Sequence, residues 1–164
     1  MKNRINFFKY SKKKPLKKLE DLDKILNLII KIFPEYYRCF NSSNIKLKKV
    51  VKKLLFLENS EFEKLYVLKF DNDIIGIATI INSKKLRISK ILGFLKMVNS
   101  LGIKKVHKQK INNLKNSFPQ IKSSSPYLTR FGVSQNFRGK KNYSSLFIKK
   151  ILKSEKNKLI AHVN

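Results

Sequence analysis

One cysteine, Cys39, stands alone in the chain, so no disulfide can form within it and a reduced, cytoplasmic setting is expected. Two histidines, His107 and His162, lie far from it in sequence, and these three side chains fall short of the roughly four ligands of a structural zinc site. No metal is expected. Long hydrophobic runs are missing as well: no uninterrupted apolar segment approaches the roughly 20 residues of a membrane span. The basic N-terminal stretch MKNRINFFKYSKKKPLKK lacks the apolar core, about 7 to 15 residues, of a secretory signal. Gly-Lys-Ser and Gly-Lys-Thr do not occur, which excludes a P-loop. No Ser-His-Asp arrangement stands out, because the acids lie in the N-terminal half or at Glu155.

Acidic side chains are scarce: 10 Asp and Glu face 38 Lys and Arg, a formal net charge of +28. From Ile74 to Ser154 there is neither Asp nor Glu. That half presents a positive potential to any polyanion, and its charge admits non-specific nucleic-acid binding. Arginine, whose planar fork suits base and bidentate phosphate recognition, contributes only Arg4, Arg38, Arg87, Arg130 and Arg138. Lysine, asparagine and isoleucine abound together, as an A/T-rich coding sequence produces, so coding bias on solvated faces is the plainer source of the charge.

What is present suffices for a core. The 164 residues, 42% of them hydrophobic with 12 Phe, fit one domain spanning residues 1–164 that buries roughly 70% of its extended-chain surface. RINFFKY (Arg4 to Tyr10) alternates and predicts a first strand, followed by a basic connection to residue 20. LEDLDKILNLIIKIF places Leu19, Leu22, Ile25, Leu26, Ile29 and Ile30 at helical spacing, with acids in the first turn where the helix dipole favours them. NIKLKKVVKKLLFL (Asn44 to Leu57) predicts a second helix with Ile45, Leu47, Val50, Val51, Leu54 and Leu55 buried. In KLYVLKFDNDIIGIATII two β-rich runs flank Asp71, Asn72 and Asp73, a hairpin signal. Gly76 in the second run marks a bulge or a close backbone approach.

Residues 86–118 return to helical period, interrupted at Gly93 and Gly102, and read as a helical insert covering the sheet; the lysines scattered through it also suit a membrane-surface helix. YLTRFGV is then a strand, KKNYSSLFIKKILKS a helix and KLIAHV a last strand. The order is β-α-α-β-β-(α insert)-β-α-β, and its closing strand–helix–strand unit implies a parallel pair with a right-handed crossover.

The junction SQNFRGKKNYSS, where a strand gives way to a helix, exposes unpaired N–H groups beside Arg138, Gly139, Lys140 and Lys141, with the amides of Asn142 and Tyr143 next in line. Spacing alone leaves two readings, a phosphate-binding turn and a solvated basic turn with a helix cap. The segment YLTRFGVSQNFRGKKNYSSLFIKKIL resembles the acyl-CoA-binding segment of the GNAT superfamily of N-acetyltransferases. The FPEYYRCF stretch after the first helix, the hairpin YVLKFDNDIIGIATI and the closing LIAHVN fall in step with that family.

The resemblance implies an α/β (α+β) fold with a mixed sheet flanked by helices, a helical insert between strands 3 and 4, and an acyl-CoA-binding β-α-β segment over 127–164. It implies acetyl transfer from acetyl-CoA to an amine on a small molecule or a protein. The backbone of Phe131, Gly132 and Val133 would pair with the pantetheine arm, the turn Arg138–Gly139–Lys140–Lys141–Asn142–Tyr143 would hold the pyrophosphate, and Asn164 would lie near the thiol. The family's turn carries two further glycines where this chain has Lys141 and Tyr143, whose side chains are expected to obstruct it. Glu35 and Tyr143 are the catalytic candidates, as base and proton donor; His107, His162 or water are alternatives for the base, and Tyr127 for the donor. The family continues past the strand that ends here at Asn164, so a truncated C-terminus is expected, with an open last strand that permits self-association.

Overall fold

Side chains that alternate between two faces of a strand must be covered on both, and the helices divide accordingly. The computed structural model describes residues 5–11, 19–34, 42–55, 60, 62–102, 124–140, 142–156 and 158–161. Its elements are β1 (Ile5–Ser11), α1 (Leu19–Ile32), α2 (Asn44–Leu55), β2 (Lys64–Phe70), β3 (Asp73–Asn82), α3 (Leu86–Leu101), β4 (Pro126–Val133), α4 (Tyr143–Ser154) and β5 (Ile160–Ala161). The five strands form one sheet in the order β1-β2-β3-β4-β5. The pairings from β1 to β4 are antiparallel, and β4 pairs with β5 in parallel through Tyr127–Ile160 and Leu128–Ala161.

On β2, Leu65 and Val67 face α1 and α2, joining Leu22, Ile25, Ile29, Val50, Val51 and Leu54 in one apolar layer. Tyr66 and Leu68 point the other way and meet Phe147 and Ile151 of α4. The hairpin turns where the sequence places it, with Asp71 in the left-handed region at φ 52°. Both expectations for Gly76 hold. The β2–β3 register shifts beside it, and a Cβ there would lie 3.0 Å from the ring of Phe147.

Two expectations are corrected. Ile45 is 69% exposed rather than buried, because the inward face of α2 is Leu47, Val50, Val51 and Leu54. Gly93 does not interrupt α3, which runs through it and ends at Gly102, where φ is 83°. Gly93 sits on the buried side, close enough to α2 that a Cβ would lie 3.9 Å from Leu54 Cδ2. The part of the predicted insert from 103 to 118 lies outside the described residues.

Candidate functional site

Strand β4 is held from three sides along its last residues. Phe131 sends its ring to Phe147 of α4, 5.4 Å between centroids. Gly132 faces the other layer, where a Cβ would come within 2.1 Å of Ile32 Cγ2 at the end of α1. Only glycine permits that approach, so the last turn of α1 lies directly on the β4 backbone. The third contact is β3, on one edge: Ser134 N–H donates to Ile75 O at 2.7 Å. Because backbone groups alternate along an antiparallel strand, Phe131 and Val133 turn their N–H and C=O groups to the opposite edge. Among the described residues the β4–β5 ladder there comprises the Tyr127 and Leu128 pairs. The edge beyond them carries the polar backbone of Phe131 and Val133.

The chain then passes through a short 3₁₀ turn, Gln135–Phe137, and folds back on itself. Arg138 Nε donates to Val133 O at 2.9 Å, tying the turn to the strand it leaves and using one of the five guanidinium donors. Gly139 (φ 72°) and Asn142 (φ 51°) both adopt left-handed backbone, which turns the chain sharply just ahead of α4. Arg138, Gly139, Lys140 and Asn142 are all exposed. Asn142 immediately precedes α4 and makes no side-chain cap, so the helix start is uncovered by its own sequence. Tyr143 N–H is engaged with Lys140 O at 3.3 Å, and helix geometry gives the N–H groups of Ser144 and Ser145 no acceptor within α4. Two serines that sequence reasoning passed over therefore offer the first-turn amides, in place of Tyr143.

No protein-family model and no curated protein sequence matches the chain. Solved structures do. An aminoglycoside N-acetyltransferase in complex with CoA aligns over 100% of this chain and 80% of its own, at 10% identity and a TM-score of 0.53. A GNAT family acetyltransferase from Staphylococcus aureus aligns over 98% and 86%, at 14% identity and a TM-score of 0.50. An aminoglycoside acetyltransferase from an uncultured soil metagenomic sample, solved with trehalose and with sisomicin, aligns over 98% and 78%, at 16% identity and a TM-score of 0.51. The chain has the GNAT acetyltransferase fold.

Within this GNAT fold the remaining candidates separate. The Tyr143 ring is buried, 5.8 Å from Phe70 and 5.7 Å from Phe137, so it packs beneath α4 and does not fill the turn as its bulk suggested. Tyr127 is buried against Ile81 and Leu86, and burial raises its hydroxyl pKa. Arg130 is also buried, its guanidinium 5.0 Å from the Phe62 ring and 5.9 Å from that of Phe33, which nothing in its spacing announced. Glu35, Lys141 and Asn164, together with Cys39, His107 and His162, lie outside the described residues. Among the described residues no cluster of His, Cys, Asp or Glu is arranged to hold a metal. Four of the described carboxylates pair with lysines: Asp21 with Lys69 at 2.7 Å, Asp23 with Lys48 at 3.2 Å, Glu63 with Lys85 at 3.5 Å and Glu155 with Lys64 at 2.6 Å.

Proposed function

We propose that this chain is an acyl-CoA-dependent N-acyltransferase that moves an acetyl group from acetyl-CoA to an amine of a small molecule. The observation that carries the reading is the left-handed pair Gly139 and Asn142 ahead of an uncapped α4, with exposed Arg138 and Lys140 beside it. An uncapped helix start with cations beside it matches the donor chemistry a diphosphate requires. A Cβ built on Gly139 meets nothing within 4 Å among the described residues, which leaves space beside the turn for a ligand.

In this reading the N–H groups of Ser144 and Ser145, with Lys140 and the outer donors of Arg138, bind the diphosphate. The outward N–H and C=O of Phe131 and the N–H of Val133 align the pantetheine arm along the edge of β4 beyond its described pairs with β5. The Val133 carbonyl stays with Arg138. Acetyl-CoA brings the acyl group as a thioester, and a backbone N–H of the β4 edge polarises its carbonyl oxygen as negative charge develops there. The acceptor amine must be neutral to attack. Its proton leaves through water or through Glu35, which follows Pro34 in sequence, while the thioester C–S bond breaks and CoA departs as a thiolate that takes up a proton from water. The small-molecule acceptor draws its support from the aminoglycoside acetyltransferases of similar fold.

Thermal unfolding with and without acetyl-CoA tests the proposal. A ligand at a hundred times its Kd stabilises by about 2.7 kcal/mol, which in a chain of this size raises Tm by roughly 5 to 10 °C. No shift at millimolar acetyl-CoA overturns the reading. Thiol release from acetyl-CoA with a panel of aminoglycosides and simple polyamines then tests the acceptor.

A further inference from the structure

Helix α3 carries more apolar surface than its contact with the core uses. Its buried side consists of Leu86, Ser89, Gly93 and Met97, and the Ser89 hydroxyl has no hydrogen-bond partner among the described residues. Its outer side carries Ile88, Ile91 and Leu95, which are 56%, 44% and 50% exposed. At about 100° per residue these three fall within an arc of roughly 60°, centred about half a turn from the buried face. The helix thus packs Leu86, Met97 and, in part, Phe94, Val98 and Leu101 inward and still leaves a second aliphatic stripe facing water. Exposed large hydrophobics are otherwise sparse among the described residues, at Ile5, Phe8 and Ile45 on other elements.

The stripe is bordered by cations. Arg87 lies on one flank and Lys96 on the other, Lys84 precedes the helix, and no acid occurs anywhere from Ile74 to Ser154. That charge selects the occupant. A second copy of the chain brings its own +28, and residues 103–123 carry six lysines and no acid, so neither complements this face. Nucleic acid would complement the charge and leave the aliphatic groups in water. Three side chains on a convex helix make a patch far below the roughly 800 Å² per partner of a stable protein interface. An anionic bilayer surface satisfies both parts, taking the aliphatic groups at the acyl boundary and the flanking cations at the headgroups. No described helix is long and apolar enough to cross a membrane, so the contact is one of lying on the surface. We propose that the outer face of α3, built on Ile88, Ile91 and Leu95, docks the protein on anionic phospholipid membranes.

The absence of tryptophan makes the test direct. The full chain carrying Leu95→Trp has a single indole on the stripe, and one carrying Lys149→Trp has it on α4, on the opposite face of the sheet. Vesicles of mixed phosphatidylglycerol and phosphatidylcholine should shift the emission of the Leu95→Trp chain to the blue and leave that of the Lys149→Trp chain unchanged. The double variant Ile88→Gln, Leu95→Gln should partition onto the same vesicles at least about tenfold less at high salt, where simple attraction of lysines to lipid is screened. Equal partitioning of this variant overturns the proposal, as does equal shift of both indoles. Emission already blue before lipid is added also overturns it, since the stripe would then be covered by the chain itself or a second copy. So does an absent vesicle shift in a chain that binds RNA.

Discussion

Lys64 Nζ lies 2.6 Å from Glu155 Oε2, joining the start of β2 to the residue that ends α4. The same carboxylate accepts from Lys9 Nζ at 3.0 Å and from the Tyr66 hydroxyl. Glu155 is the only acid after Asp73, its side chain is 4% exposed, and three donors from β1 and β2 converge on it. In a chain so rich in cations, one buried carboxylate therefore ties the C-terminal helix to the far half of the sheet.

Removing that charge should be costly. Glu155→Gln leaves two lysines facing a neutral amide, and losing one partner of a buried pair typically destabilises by roughly 3 to 5 kcal/mol. Both lysines keep about a third of their exposure, which places the expected loss at the lower end, about 3 kcal/mol, measured by urea unfolding at neutral pH.

The same group predicts a pH dependence. Burial by itself raises the Glu155 carboxyl, but hydrogen bonds from Lys64, Tyr66 and Lys9 outweigh it and hold the pKa below the ordinary 4.5. A folded pKa below the unfolded one gives stability that is present above the unfolded value and lost as pH falls through the folded value. Tyr66 is displaced upward, first by burial and then by its hydrogen bond to Glu155. Its contribution is present below the ordinary 10.0 and declines as pH rises above it. Stability measured against pH should fall in acid below about 4.5 and in alkali above about 10, and Glu155→Gln should flatten the acid limb.

Gly132→Ala tests the contact between α1 and β4. The new methyl meets Ile32 Cγ2 at 2.1 Å, so a helix or a strand must move, at an expected cost of about 1 to 3 kcal/mol. Ile32→Ala alone creates a void, but the double variant should be more stable than the sum of the two losses implies. Additive losses in a double-mutant cycle would show that the approach is not the reason for the glycine.

Arg138→Ala should weaken acetyl-CoA binding about tenfold, the worth of one charge-assisted hydrogen bond. Arg138→Lys should fail to restore it, because an ammonium cannot hold the Val133 carbonyl and reach a phosphate with a second, rigidly placed donor. Calorimetric titration of both variants checks this, and full recovery by lysine would show that charge alone suffices.

Much of the molecule follows from pattern in the chain. Period and turn chemistry decide the element order, the hairpin at Asp71–Asn72 and the basic turn ahead of α4, because these depend on residues close together in sequence. Gly76 could be read as a position where a side chain is unwelcome for the same reason. Contacts between distant segments were not legible. The partner of Gly132 is 100 positions away at Ile32, Glu155 finds its donors at Lys9, Lys64 and Tyr66, and Arg130 is buried against Phe62 and Phe33. Tyr143 was read as an obstruction because spacing does not reveal that its ring turns into the core between Phe70 and Phe137. Hydrophobic period likewise assigned α3 to the sheet, and only packing decided that Ser89 and Gly93 face inward while Ile88, Ile91 and Leu95 face water. Local sequence sets which backbone conformations are cheap; which side chains meet depends on how the layers close, and that is a property of the whole chain.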